Sequence, residues 1–205
     1  MNKLEKRIVE IAFRLQLNHI PAYFETLPIL LEIYKTKKKD EPVILSHAHP
    51  LCTQAVVLEH LYGLDAFDIV KRNMTCGNRN KEDMIDVSTC SLGHGLTIAL
   101  GMAIADRSKN VYVLTSDGEF SEGACWETLQ IADELELYNI KIYLNANGYS
   151  CIKEVNLDKL EKRIKSFFPV KFIRTNVDRF PEWLQGYDGR YAVLDEERVK
   201  ELLCS

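Results

Sequence analysis

Nowhere does the 205-residue sequence hold the ~20 consecutive apolar residues of a membrane span, and the opening Met1 to Arg7 offers no uninterrupted apolar core of a secretory leader. A soluble, cytoplasmic protein with no membrane partner is expected. An excess of basic charge is also lacking: 26 Lys and Arg stand against 30 Asp and Glu, a formal net charge of −4, which argues against a dedicated nucleic-acid binder. The one basic run, Lys35, Lys37, Lys38 and Lys39, meets Asp40 and Glu41 at once and reads as a solvated turn. The six cysteines (Cys52, Cys76, Cys90, Cys125, Cys151, Cys204) include no CxxC pair, so neither a disulfide framework nor a zinc site has spacing support. All six are expected as reduced thiols, mostly buried. No internal repeat or low-complexity linker divides the chain, and residues 1–205 are expected to form a single domain. Apolar residues at 46% and charged ones at 27% match an ordinary globular protein long enough to bury a real core.

What is present is an alternation of helix and strand patterns. Leu4, Ile8, Ile11 and Leu15 fall on one helical face, ending around Asn18. Pro28 reads as a first-turn proline ahead of a second helix through Ile29 to Tyr34. Val43 to Ser46 reads as a short buried strand, Leu51 to Leu61 as a helix, and the polar stretch 73–87 as a loop. Gly93, Gly95, Ala99, Gly101, Ala103 and Ala105 form a small-residue helix able to lie close to a sheet. Val111 to Thr115, a helix from about Glu122 to Leu137, and Ile140 to Leu144 make a β-α-β unit whose strands should run parallel. A helix at 157–167, strands at 170–174 and 191–194 and a closing helix at 196–203 complete an α/β sandwich.

Ligands of open parallel sheets bind beyond the carboxyl ends of the strands. Asp117 and Asn147 each follow a strand there, and a carboxylate with an amide oxygen suits a magnesium ion that takes its other ligands from phosphates. Gly118 lets the backbone approach a phosphate, and the helix from Glu122 aims its positive end at the same edge. The turn Ser91 to Gly95 reads as a second anion-tolerant helix start. Taken alone, Asp117 is equally a helix cap, His19 a surface histidine, His49 a turn residue before Pro50, and Glu122 a complement to a helix dipole. The pattern of Asp117, Gly118 and Asn147 together asks for a diphosphate with Mg²⁺.

Ser116-Asp117-Gly118-Glu119, with Asn147 thirty positions after Asp117, resembles the thiamine-diphosphate fingerprint that begins Gly-Asp-Gly and closes on asparagine. Ser88 to Gly95 resembles the Ser-Thr-Gly-Ser-Leu-Gly-Gln-Gly segment of transketolases, Leu45 to His49 their Leu-Ser-x-Gly-His, and Ser121 to Glu127 their Glu-Gly-x-x-Trp-Glu. Asn18-His19 stands where they carry Gly-His. The resemblance implies a three-layer α/β sandwich with a mainly parallel sheet, the diphosphate-binding (PP-type) fold of thiamine-diphosphate enzymes. It also implies that Asp117, Asn147 and the carbonyl of Tyr149 hold Mg²⁺, that Gly118 and His49 contact the diphosphate, that Glu119 is among the cofactor-binding residues, and that Cys90 and Leu92 meet the aminopyrimidine through main-chain atoms. His19 and His49 would line the channel to the thiazolium, and Glu122 would join a carboxylate network coupling two cofactors.

The departures bear on the donor. Ser116 replaces glycine and His94 replaces glutamine, while the family's donor-sugar histidine falls near Gly77-Asn78, where no histidine stands. The family's cofactor-activating glutamate belongs to a separate pyrimidine-binding domain, so the resemblance implies half of a split enzyme. Two copies of this chain would join two of a pyrimidine-binding partner in a heterotetramer acting on sugars or sugar phosphates. The expected activity is transfer of a two-carbon ketol unit from a ketose, or an unusual donor, to an aldose. A component of a related synthase or 2-oxo acid decarboxylase, and a non-catalytic binding subunit, are the competing readings.

Overall fold

Alternating apolar strands and helices give the chain its layout in a computed structural model, which describes residues 1–74, 76–150, 154–176 and 179–204. In chain order the elements are α1 (Lys3–Arg14), α2 (Ile20–Thr36), β1 (Val43–Leu45), α3 (Leu51–Tyr62), α4 (Ala66–Asn73), α5 (His94–Ala105) and β2 (Val111–Ser116), followed by α6 (Gly123–Glu134), β3 (Ile140–Ala146), α7 (Leu157–Lys165), β4 (Lys171–Arg174) and α8 (Glu196–Cys204). They divide between two compact units, one of Met1–Glu32, His49–Cys76 and Asn176–Ser205, the other of Ile33–Ala48 and Gly77–Thr175. Among the described residues no helix is long and apolar enough to cross a membrane.

The second unit holds the sheet, ordered β1-β2-β3-β4 and parallel throughout. The expected β-α-β unit is present: β2 and β3 pair in parallel from Val111↔Ile140 to Ser116↔Asn145, joined through α6. Helices flank the sheet and share its core, in which Ile44, Val113, Leu144, Leu96, Ala99 and Leu129 are wholly buried. Burying such side chains is the main favourable term of the fold. The small-residue helix expected from the sequence is α5, and the first of its two glycines, Gly95, has a defined reason. A Cβ on Gly95 would lie 2.5 Å from the Ser46 Cα and 2.7 Å from the Leu45 carbonyl oxygen, so only glycine lets α5 approach the end of β1 this closely.

The first unit is helical. α1 starts on Asn2, whose Oδ1 accepts the Leu4 and Glu5 N–H groups at 2.9 and 3.0 Å while Glu5 accepts the Asn2 N–H at 2.9 Å. Arg7 on α1 makes a two-pronged pair with Glu59 on α3, at 2.8 and 2.9 Å. Pro28 does not begin a helix, contrary to expectation. α2 starts at Ile20, Pro21 occupies its first turn, and Pro28 lies in the interior. The missing proline N–H frees the carbonyl of Phe24, and the Arg179 guanidinium takes it at 3.2 Å.

Three more expectations are corrected. The segment 191–194 is not a strand: Asp188–Tyr191 is a 3-10 turn, and carbonyls in and beside the segment are taken by groups outside any ladder. Arg190 O accepts from His19 N at 2.6 Å, Val193 O from Arg198 at 2.7 Å, and Leu194 O from Gln16 at 3.2 Å. The stretch 73–87 begins inside a helix, since α4 runs to Asn73; its Ile69 and Val70 form too short an apolar pattern to separate from a loop. Cys76 is disulfide-bonded rather than reduced, and so is Cys90; Cys52 and Cys125 are buried free thiols and Cys204 an exposed one. Cys151 lies outside the described residues.

Candidate functional site

The pairing of Ser116 with Asn145 puts the ends of β2 and β3 side by side, so Asp117 and Asn147 leave the same edge of the sheet. Asp117 is 2% exposed. One of its oxygens accepts the Gly118 N–H at 3.0 Å and the other the Gly148 N–H at 2.7 Å, which binds the two strand-end loops to each other. Asn147 Oδ1 accepts the Tyr149 N–H at 3.1 Å, and Gly148 takes a φ of +87°, a left-handed conformation suited to glycine. A Cβ on Gly118 would lie 3.2 Å from both the Tyr149 carbonyl oxygen and the Ser150 Cα. Asp117, Gly118, Asn147 and Tyr149, four residues singled out in the sequence, thus lie together on one edge.

The donors gathered there are one carboxylate, one amide oxygen and a main-chain carbonyl. All are hard oxygens, too few to enclose a cation by themselves. Among the described residues no group of three or more His, Cys, Asp and Glu could hold a metal ion. Such a set fits a magnesium ion that draws further ligands from a diphosphate.

Glu119 has a different setting from its neighbours. It is wholly buried, and its carboxylate accepts from four close protein donors. Oε1 accepts from Ser46 Oγ at 2.6 Å and Gly93 N at 2.8 Å; Oε2 accepts from Thr115 Oγ1 and Ser116 N, both at 2.9 Å. His47 Nε2 stands 3.8 Å from Oε2. Burial raises its pKa, and the four donors oppose that rise by favouring the charged form. The anion-tolerant turn at Ser91 to Gly95 is therefore filled by the chain's own carboxylate. Ser46 completes the capping of α5, its Oγ accepting from Leu96 N at 3.0 Å and its carbonyl from Gly95 N at 3.3 Å. The sequence signal for this role is the Ser116-x-x-Glu119 spacing of a capping box.

In the same unit Cys90 is exposed, Leu92 half-buried, and Glu122 exposed just before α6. Asn78, near which the resemblance would have a donor-sugar histidine, is exposed in the segment bridged by Gly77 and Thr89.

The first unit brings His19 and His49 into face-to-face contact, ring centroids 4.0 Å apart and planes 17° from parallel. Tyr191 meets His19 edge-on at 5.5 Å. His19 has a φ of +61°, its N–H held by the Arg190 carbonyl, and its Nδ1 lies 2.8 Å from Asn18 Oδ1. Burial, then the neighbouring His49 and Arg190, lowers its pKa to about 4.

The fold is that of the transketolase class. Over 84% of its length the chain superposes on 35% of the transketolase of Leishmania mexicana, with a TM-score of 0.62 at 18% identity. By sequence it is similar to chains that are named as transketolase subunits. It is 28% identical over 171 residues to one such subunit, from the apulose-4-phosphate transketolase of Phocaeicola vulgatus, covering 71% of this chain and 58% of that one. It is 28% identical over 193 residues to the 6-deoxy-6-sulfo-D-fructose transketolase subunit SqwG of a Clostridium species, covering 81% and 69%. The chain matches no family model. It thus spans somewhat under three-fifths of the length of the Phocaeicola relative. Use of thiamine diphosphate is a general property of transketolases, and the names of both relatives imply a second subunit in those proteins.

Proposed function

We propose that the chain is the diphosphate-binding subunit of a two-chain transketolase-like enzyme that moves a two-carbon ketol unit from a ketose to an aldose. The observation that carries this reading is the Asp117 carboxylate bonded to Gly148 N at 2.7 Å, which sets an aspartate and an asparagine loop at adjoining strand ends. Asp117, Asn147 and the Tyr149 carbonyl would hold Mg²⁺, and Gly118 would admit a diphosphate oxygen close to the backbone. When bound, thiamine diphosphate supplies the electron sink for breaking and making the ketol carbon–carbon bond. Cys90 and Leu92 would offer main-chain atoms to the aminopyrimidine. Glu119 has its place in this reading as the group that fixes the Asp117-Gly118 turn.

His19 and His49 would present imidazole nitrogens to the hydroxyl groups of the ketol unit. His19 is neutral near pH 7, so it can accept a hydrogen bond there without first losing a proton. Glu122, exposed ahead of α6, would join the carboxylate network at the assembly interface. The partner is a separate pyrimidine-binding subunit, two copies of each chain forming a heterotetramer in the cytoplasm.

The two relatives are named for apulose-4-phosphate and 6-deoxy-6-sulfo-D-fructose, and an anionic ketose of that kind is the donor class we favour. Asn78 in place of histidine supports a donor other than the ordinary ketoses and keeps open a related synthase or 2-oxo acid decarboxylase; assay against pyruvate separates these. Calorimetry of the purified two-subunit complex tests the site. Asp117→Ala should abolish Mg²⁺-dependent binding of thiamine diphosphate while the far-ultraviolet spectrum stays unchanged. Unaltered affinity in that variant would refute the assignment.

A further inference from the structure

His19 is held from three directions. Its backbone is fixed in the left-handed region by the bond from its N–H to the Arg190 carbonyl at 2.6 Å. Its ring is stacked on His49 at 4.0 Å and bounded edge-on by Tyr191 at 5.5 Å. What remains variable is which ring nitrogen carries the proton, and in a neutral imidazole the other nitrogen is then an acceptor. Asn18 Oδ1 lies 2.8 Å from Nδ1. A carbonyl oxygen is an acceptor only, so that contact is a hydrogen bond only when Nδ1 carries the proton.

We propose that Asn18 is a positioning residue that holds His19 in the tautomer protonated on Nδ1, leaving Nε2 as a fixed hydrogen-bond acceptor for a hydroxyl group of the ketol substrate. The choice of tautomer follows from the contacts of this chain; its use in the reaction rests on the function proposed above. The surroundings keep the choice relevant near neutral pH: burial, the neighbouring His49 ring and the Arg190 guanidinium all disfavour the imidazolium, in which both nitrogens would be donors.

Nitrogen-15 NMR of the labelled full chain at pH 7 reads the tautomer directly, the His19 signals being assigned by their loss in His19→Gln. The expected result is a pyrrole-type Nδ1 and a pyridine-type Nε2. Asn18→Ala should shift the ring to a mixture of tautomers, and Asn18→Asp, which keeps an acceptor at the same place, should restore the Nδ1–H form. Should the alanine variant fold poorly, Asn18→Gly makes the same deletion. In the complex with the partner, Asn18→Ala should lower kcat/KM about tenfold, the order of one neutral hydrogen bond, with thiamine diphosphate affinity unchanged.

A proton on Nε2 in the wild type, or an unaltered tautomer in both Asn18→Ala and Asn18→Gly, would overturn the proposal. So would a shifted tautomer with full kcat/KM. A wild-type complex that binds no thiamine diphosphate would instead defeat the function proposed above, and with it the catalytic use of Nε2, while the NMR result would still decide the tautomer.

Discussion

The main-chain N–H of Gly93 donates to Oε1 of Glu119 at 2.8 Å, so α5 begins on a carboxylate that the chain itself supplies. The same carboxylate reaches Ser46 at the end of β1 and Thr115 and Ser116 at the end of β2. Three elements thus converge on one buried group, two residues from Asp117. Each oxygen faces one backbone N–H, which is always a donor, and at least one hydroxyl. An amide at position 119 would turn its NH₂ against Gly93 N or Ser116 N, whichever way it was placed.

Glu119→Gln should therefore destabilise the chain by about 3 kcal/mol, as expected when a fully satisfied buried polar network is left with opposed donors. Urea unfolding measures it. A loss below about 0.5 kcal/mol would show that the network is not cooperative.

Two glycines of one helix should respond in opposite directions. Gly95→Ala forces a Cβ onto backbone atoms of Leu45 and Ser46, and should cost about 3 kcal/mol because neither neighbour can move without shifting β1. Gly101 is exposed mid-helix with nothing within 4 Å of its missing Cβ, and Gly101→Ala should stabilise by roughly 0.5–1 kcal/mol. Thermal unfolding of both variants checks the pair.

Pro28 and Arg179 should be coupled. Arg179→Met leaves the Phe24 carbonyl without its guanidinium and should cost about 1 kcal/mol. In a Pro28→Ala background the restored N–H can take that carbonyl, so the same replacement should cost less. A double-mutant cycle with no coupling energy would contradict the account of this interior proline.

Acid should weaken the fold through His19. Its pKa in the folded chain is about 4 against an ordinary value near 6.5, so between those values the unfolded chain binds a proton that the folded one refuses. The contribution to stability is complete above about pH 6.5 and is lost as pH falls toward 4. His19→Gln should flatten the slope of stability against pH in that window, as read from denaturation midpoints. Parallel slopes for the two proteins would contradict the burial of a neutral imidazole.

Asn78→His should improve turnover with ordinary ketose donors if the absence of histidine from the family's position explains an altered donor. Steady-state assay of the complex with several ketoses checks it, and no gain with any of them would dissociate Asn78 from donor choice.

Much of the strand-end edge is legible in the sequence because its residues are local. Asp117 with Gly118, and Asn147 thirty positions on, are each one loop after an apolar strand, and parallel pairing of those strands brings them together. Glu119 is harder to read. Its proximity to Asp117 suggests a ligand contact, whereas its partners Ser46 and Gly93 are remote in sequence and meet it only through folding. The interior proline of α2 misleads for a similar reason, since the Arg179 that accommodates it is far along the chain. The apolar run at 191–194 resembles a strand because periodicity cannot show that its carbonyls are already taken by Gln16 and Arg198.

The most direct test of the central claim is reconstitution. The chain would be purified with the proposed pyrimidine-binding subunit, the two separated and then recombined, and each preparation assayed for bound thiamine diphosphate and for ketol transfer from an anionic ketose to an aldose. The account predicts that neither chain alone turns over and that the mixture both binds the cofactor with Mg²⁺ and transfers the ketol unit. Turnover by this chain alone, or a recombined complex that binds no thiamine diphosphate, would contradict it.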